Sequence, residues 1–164
     1  MKNLFIKQKV FKITDHYPVL DESGNAVYHV DQDFQLLGLS VVISDQEGNP
    51  VCKVDRKILS FLPVFYLSFH TGEEIVMKSR FTFLRQKIDI EPYELGIYIE
   101  GNIIDHKFAV YKGGRIIGRI DRELLVWGDS YHLEIIEEEY ELLFVGMVVA
   151  IDHIIDIRQS SSSS

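Results

Sequence analysis

Cysteine is almost absent from this chain, since Cys52 is the only one among its 164 residues. A single cysteine excludes an internal disulfide framework and any zinc site built from several cysteines. Long apolar runs are also lacking, because the longest charge-free apolar stretch, residues 142–151, has ten residues. A membrane-spanning helix needs about 20, so no transmembrane segment is predicted. The first residues lack the apolar core and cleavage site of a signal peptide, and we expect a reducing, cytoplasmic location.

Basic residues are scarce relative to acidic ones. The chain has 17 Lys and Arg residues against 25 Asp and Glu residues, a net charge of −8. Residues 129–164 contain eight acidic residues and one base, Arg158, whereas residues 1–128 are nearly neutral, with 17 acidic and 16 basic residues. Nucleic-acid-binding proteins carry a basic domain surface or a groove-reading motif. Neither is present, so no nucleic-acid partner is expected.

Short polar turns recur along the chain. Residues 21–31 and residues 45–55 are similar to each other and lie 24 residues apart. Each segment begins with a polar turn that contains Asp, Gly and Asn, which tolerate positive φ. A short β-branched run follows, and this is the pattern of a β-hairpin. Weaker copies occur at residues 70–76, 100–104 and 111–121. The chain is therefore predicted to be mainly β.

Apolar and polar residues alternate between the turns with the period of two that is typical of strands. About ten to twelve strands fit this pattern. The clearest predicted inward faces are Leu37, Leu39, Val41 and Ile43; Ile75, Met77, Phe81 and Phe83; Ile104, His106, Phe108 and Val110; and Tyr131, Leu133 and Ile135.

The pattern changes after Glu139. Residues 142–157 are apolar on every side for their first ten positions. Sixteen residues are too long for a usual strand, and as a helix they would span about 24 Å, less than the roughly 30 Å of a bilayer core. A helix that is apolar all round must be surrounded by protein, and the inside of a closed sheet would provide that environment. Gly146 and Ala150 would allow close packing on one side of this helix.

Chain length and composition indicate one domain. We assign it to residues 1–159, followed by a serine tail at residues 160–164 that is expected to be disordered.

Six motifs follow one another along the chain at residues 4–11, 24–30, 45–51, 57–63, 127–131 and 148–152. Their order resembles the LURP-one-related family, a branch of the tubby C-terminal-like superfamily that is distantly related to phospholipid scramblases. The resemblance implies a closed antiparallel twelve-stranded β-barrel of hairpins around a buried hydrophobic C-terminal α-helix. The tubby branch binds phosphoinositide head groups through basic side chains of the barrel, and no individual site residue can be matched to this chain.

Two pairs of basic residues are the candidate ligand-binding positions. Lys78 and Arg80 share the outward face of one predicted strand, about 7 Å apart, and could contact one phosphate group. Lys112 and Arg115 flank Gly113 and Gly114, a segment that could offer backbone N–H groups to an anion. The alternatives are a solvated strand face with charges that discourage aggregation and a tight glycine hairpin turn.

Nothing in the sequence indicates catalysis, a metal or a cofactor. The six histidines have no metal-ligand spacing, and no nucleophile motif such as Gly-x-Ser-x-Gly is present. Asp152, His153 and Asp156 lie close together on the predicted helix, where they are expected to mark its exit from the barrel. A role in proton transfer or metal binding is the less favoured interpretation.

The favoured function is therefore a non-enzymatic binding module. It would be monomeric and cytoplasmic or peripheral to the inner membrane face, and it would contact anionic phospholipid head groups through basic patches on the barrel exterior. The alternatives are a cytosolic protein-interaction or scaffold protein without lipid affinity and, least favoured, an enzyme of unknown class.

Deletion of residues 142–164 tests the predicted central helix. Without its filling, the barrel should lose specific packing and give an insoluble or molten chain. Near-UV circular dichroism and chemical denaturation would detect this loss. A truncated chain that still unfolds cooperatively would contradict the prediction.

Overall fold

The computed structural model of the protein describes residues 1–7, 16–35, 38–81, 85–102, 104–125 and 128–162. These residues form twelve strands, two short 3-10 turns at Tyr93–Leu95 and Glu138–Tyr140, and one α-helix, here α1. The bounds are β1 Lys2–Lys7, β2 His16–Leu20, β3 Ala26–Gln35, β4 Gly38–Ser44, β5 Pro50–Arg56, β6 Val64–Phe69, β7 Glu74–Phe81, β8 Gln86–Glu91, β9 Ile97–Asn102, β10 Lys107–Lys112, β11 Arg115–Leu125, β12 Gly128–Ile135 and α1 Glu141–Ser162.

The strands form one closed antiparallel barrel. Each strand pairs with its neighbours in the chain, and β1 pairs with β12 to close the sheet, with Leu4 opposite Leu133 and Ile6 opposite Tyr131. A closed sheet leaves no unpaired strand edge. The predicted twelve-stranded barrel is confirmed.

The inward face of the barrel is apolar because side chains alternate between the two faces of each strand. On β4, for example, Leu39, Val41 and Ile43 are buried. The other strands contribute in the same way through Leu4, Ile6, Tyr17, Val19, Val30, Cys52, Val54, Phe65, Leu67, Ile75, Met77, Ile88, Ile90, Ile97, Ile99, Phe108, Val110, Ile117, Ile120, Tyr131, Leu133 and Ile135. The predicted inward positions of β4, β7 and β12 that the structure describes are confirmed.

Helix α1 fills the barrel. All ten residues from 143 to 152 are buried, so the helix contacts protein on every side. Gly146 faces Leu67 on β6, and a methyl group added at Gly146 would lie 2.8 Å from a terminal carbon of Leu67. The predicted central helix and its close contact at Gly146 are therefore present. Among the residues described, no helix combines the length and hydropathy that crossing a membrane requires.

The two copies of the repeated segment form the same turn. The side chain of Asp21 accepts hydrogen bonds from the backbone N–H groups of Ser23 and Asn25, both at 2.9 Å. The side chain of Asp45 accepts equivalent bonds from Glu47 and Asn49, also at 2.9 Å. These bonds lower the pKa of both carboxyls, with the backbone bond from the Asn as the largest cause. The turn chemistry inferred from the sequence is confirmed.

Three expectations differ from the structure or cannot be compared with it. Ile104 and His106 are not on a strand: β10 begins at Lys107, and both residues lie in the connection after β9, where His106 has a φ of 53°. Helix α1 extends to Ser162, beyond the predicted domain end at residue 159, and the Ser160 hydroxyl donates hydrogen bonds to the carbonyl oxygens of Asp156 and Ile157. The predicted positions Leu37, Phe83, Ser163 and Ser164 lie outside the described residues.

Chain direction gives the barrel two distinct ends. Because consecutive strands run in opposite directions, the connections between them alternate between one end and the other. Helix α1 enters beside the connections that follow the even-numbered strands, which we call the entry end, and it runs towards the other, exit end. The connections at the exit end follow the odd-numbered strands.

Replacement of Gly118 by alanine tests the packing of α1 against the wall. A methyl group there would lie 2.4 Å from the Glu134 carbonyl oxygen and 2.4 Å from the Phe144 ring of α1. We expect the free energy of unfolding to fall by about 1–3 kcal/mol, as for other overpacked cores, measured by urea denaturation. Gly38→Ala is the matched control, because its methyl group would meet its nearest neighbour, Ile58, at 3.7 Å. Equal stability of the two variants would contradict the close contact.

Candidate functional site

Lys78 and Arg80 lie on the outer wall, as predicted, because they alternate with the buried Met77 and Ser79. Each is paired with a carboxylate of β8. The Lys78 Nζ atom lies 2.7 Å from Glu91 Oε1. The Arg80 guanidinium binds both oxygens of Asp89, at 2.5 Å and 2.8 Å.

These ion pairs limit the ability of Lys78 and Arg80 to bind a phosphate. The hydrogen bond that Lys78 donates to Glu91 is the largest cause both of the raised pKa of Lys78 and of the lowered pKa of Glu91. Both groups therefore remain charged at neutral pH. The two pairs together carry no net charge, so a phosphate at this wall would compete with carboxylates already in place.

Lys112 and Arg115 lie at the entry end, where they flank a tight turn. Gly113 and Gly114 have φ values of 56° and 80°, and Lys112 pairs with Arg115 across the turn. Positive φ at both central residues is the type I′ pattern that joins two strands directly, which confirms the hairpin interpretation.

Both cations flanking this turn contact the segment that leads into α1. Lys112 donates a hydrogen bond to the Tyr140 hydroxyl, and its Nζ lies 4.7 Å from the centre of the same ring. Arg115 lies 2.5 Å from a Glu137 carboxylate oxygen. Strands β8 and β9 separate this pair from β7, so the structure does not bring the four predicted cations into one site.

Asp152 is part of a buried polar contact inside the barrel. Its carboxylate is 7% exposed and accepts a hydrogen bond of 2.7 Å from the Tyr131 hydroxyl of β12. Burial, followed by the charge of Asp152, raises the pKa of Tyr131 well above its usual range, which keeps its donating proton in place. This pairing offsets part of the cost of burying a carboxylate inside the barrel.

His153 points to the opposite side of α1 from that contact. Its ring meets Phe65 edge-on at 5.9 Å, and its Nε2 lies 3.3 Å from the Arg56 guanidinium at the end of β5. Burial, and then the positive charge of Arg56, lower the pKa of His153 to about 4. The ring is therefore neutral at pH 7, and its Nε2 accepts a hydrogen bond from Arg56.

No catalytic arrangement emerges from these groups. The described residues contain no cluster of three or more His, Cys, Asp or Glu side chains able to hold a metal ion. Surface depressions of about 200, 340 and 480 Å³ are present, and neither Asp152 nor His153 lines any of the three. Cys52 is buried in β5, which raises its pKa to about 12 and makes the thiol a poor nucleophile.

The two ends of the barrel differ sharply in sequence. Connections at the entry end contain nine acidic residues and no lysine or arginine; they are residues 21–25, 45–49, 70–73, 92–96, 113–114 and 136–140. The connections at the exit end that the structure describes are residues 57–63, 85 and 104–106. They contain two basic residues, Lys57 and Arg85, one acidic residue, Asp105, and five large apolar residues. This division is not visible in the linear sequence, because it appears only when strands are counted and alternate connections are grouped.

Several apolar side chains of the exit end are exposed in the residues that the structure describes. Phe61 is 100% exposed, Leu59 95% and Ile104 81%, and Ile58 is half exposed. Lys57 and Lys107 are the exposed bases beside these segments. The exit end therefore presents both charge and apolar surface to solvent.

Comparison with known proteins gives a consistent result. The model of the LURP-one-related family matches residues 2–152. The chain is 28% identical over 155 residues to the uncharacterised protein YxjI of Bacillus subtilis, covering 94% of each chain. An X-ray structure of a protein from Arabidopsis thaliana superposes with a TM-score of 0.61 at 14% identity, covering 96% of this chain and 91% of that one. At this identity the likeness concerns the fold.

Replacement of His153 tests the environment at the end of α1. Because its pKa is lower in the folded chain than in the unfolded chain, the unfolded state takes up the proton first as pH falls, so stability should decline from pH 7 towards pH 5. Since the ring is only partly buried, we expect a loss of roughly 1 kcal/mol over this range. Urea denaturation of His153→Gln should show a flatter pH profile, with the exposed His29→Gln as control. Identical profiles for wild type and His153→Gln would contradict the assignment.

Proposed function

The chain belongs to the LURP-one-related family, and we propose that it is a non-enzymatic binding module that contacts anionic phospholipid head groups reversibly. It acts as a cytoplasmic monomer at the inner membrane face. The observation that carries the proposal is the division of charge between the two ends of the barrel. Acidic residues dominate the connections at the entry end, whereas the described connections at the exit end carry Lys57 and Arg85 together with the most exposed apolar side chains between strands, those of Leu59, Phe61 and Ile104.

Such a division orients a protein near a charged surface. An anionic membrane repels the entry end and attracts the exit end, so the barrel approaches with the exit end first. Attraction acts over about 8 Å at physiological salt, so bases at the tip of a connection contribute more than bases on the wall. Lys57, which is exposed in the connection between β5 and β6, meets this condition.

The four cations predicted from the sequence, on β7 and beside the glycine turn, are less important in this proposal. Lys78 and Arg80 are neutralised by Glu91 and Asp89, and Lys112 and Arg115 lie at the repelled entry end. A head group would reach any of the four only by displacing a partner. We therefore place the contact at the exit end. The ligands predicted from the sequence, Lys78, Arg80, Lys112 and Arg115, are the alternative location that charge reversal tests.

A protein-interaction role without lipid affinity is the second candidate. It is favoured by the entry end, whose nine acidic residues would attract a basic partner surface. In this case the exit end would be unimportant for binding, and acidic vesicles would not bind the protein.

Vesicle flotation distinguishes these possibilities. We expect binding to vesicles of 30% anionic lipid at 50 mM salt, weaker binding at 300 mM salt, and none to zwitterionic vesicles. Since each base near an anionic surface contributes about 1 kcal/mol, Lys57→Glu should weaken binding about tenfold or more.

Two variants with charge reversals elsewhere are the matched controls. Lys112→Glu changes the same charge at the entry end, and Lys78→Glu with Arg80→Glu changes the wall. Both should bind nearly as well as wild type. A larger loss in the wall variant would move the site to β7. Failure of the wild-type protein to bind any vesicle would contradict the lipid proposal and favour the protein-interaction role.

A further inference from the structure

The connection between β5 and β6, residues 57–63, exposes apolar side chains to an unusual degree. Phe61 is 100% exposed and Leu59 is 95% exposed, with half-exposed Ile58 beside them. Single apolar residues on a surface are ordinary. Three within four consecutive positions, at the tip of a connection, form a continuous apolar projection, and such projections mark interaction sites.

Hydrogen bonds hold this connection in a fixed shape. The N–H of Lys57 donates to the carbonyl oxygen of Val64 at 2.8 Å, which closes the base of the loop. The N–H of Ser79 on β7 donates to the Pro63 carbonyl oxygen at 3.0 Å, which fastens the loop to the neighbouring hairpin. The apolar side chains are therefore presented by a loop that is anchored to the barrel wall.

The backbone at Leu59 is consistent with a functional role. Its φ of 61° is in the left-handed region, which bulky residues adopt rarely and at an energetic cost. Glycine or asparagine would adopt this conformation more easily. The Leu59 side chain points to solvent, so a leucine in this position does not contribute to the packing of the core.

The surroundings of the loop favour a lipid surface as its occupant. Lys57 is the only charged residue of residues 57–63, and Arg56 precedes it, so two bases come directly before the apolar tip and no acidic residue lies within it. This combination is that of interfacial membrane anchors, in which apolar side chains enter the region between head groups and acyl chains while bases remain with the phosphates.

A second copy of the chain fits this surface less well. Phe and Leu together bury roughly 300–400 Å², whereas a stable protein interface needs about 800 Å² from each partner. A small apolar tip is sufficient for a membrane, which supplies the rest of the contact through charge.

We propose that residues 57–63 are a membrane anchor, in which Leu59 and Phe61 insert below the head groups and Lys57 contacts the lipid phosphates. This inference rests on the proposed function, which requires a charged lipid surface, and adds an apolar contact with acyl chains.

The first test removes the apolar tip and keeps the charge. Leu59→Ser combined with Phe61→Ser should bind vesicles of 30% anionic lipid at least tenfold more weakly than wild type, a change of about 1.4 kcal/mol. Its denaturation curve should be unchanged, since both side chains are exposed. The matched control is Tyr93→Ser combined with Ile136→Ser, which removes two exposed apolar residues at the entry end and should bind normally.

Insertion can also be measured directly. Because the only native cysteine, Cys52, is buried with a raised pKa, a Phe61→Cys variant can be labelled selectively with an environment-sensitive dye. Its emission should shift to shorter wavelength on vesicle addition and be quenched by acyl-chain bromolipids. The same dye at Tyr93→Cys should respond to neither.

The outcomes separate the two proposals. If wild type binds and the Leu59→Ser, Phe61→Ser variant binds equally well, the anchor is wrong and the electrostatic function stands. If wild type binds no vesicle, both are wrong. If wild type sediments as a dimer that the double variant does not form, the tip is a contact between copies of this chain, and the anchor is again wrong.

Discussion

Filling of the barrel by α1 is the constraint on which the rest of the structure depends. A barrel of about eight strands can be filled by its own side chains, whereas a wider one leaves space along its axis. Twelve strands exceed that size, and here the space holds ten consecutive buried residues of α1. The helix is apolar on all sides for this reason, and glycines at 118 and 146 are needed where wall and helix approach most closely. Binding chemistry is consequently left to the outer wall and the two ends.

Polar groups inside the barrel follow from the same constraint. Asp152 comes directly after the apolar part of α1, where the helix approaches the exit end, and its burial is compensated by the Tyr131 hydroxyl. His153, the next residue, faces another strand and pairs with Arg56. A buried carboxylate and a half-buried imidazole are costly unless hydrogen-bonded. These two contacts therefore fix the rotation of α1 about its axis, since turning the helix would leave both groups without partners.

Most of the fold could be predicted from the sequence, because its determinants are local. The period of two assigns the inward faces of β4, β7 and β12, and the all-round apolar stretch identifies α1. The partners of the predicted cations could not be found in this way. Glu91 lies 13 residues from Lys78 and is adjacent only through the register of β7 and β8, a tertiary property. Ile104 and His106 precede β10 but fit its alternating pattern, so periodicity alone does not show where the strand begins.

The polarity of the barrel has a simple origin in the repeat of the sequence. One repeat of 24 residues contains two strands and two connections, so residues 21–25 and 45–49 fall at the same end. All connections that follow odd-numbered strands meet at one end, and all that follow even-numbered strands meet at the other. A difference in composition between alternate connections therefore becomes a difference between the two ends of the barrel. Five of the six connections at the entry end contain acidic residues, and they collect around the start of α1, whose N-terminus favours negative charge. The exposed apolar side chains of residues 57–63 and 104–106 lie at the opposite, exit end.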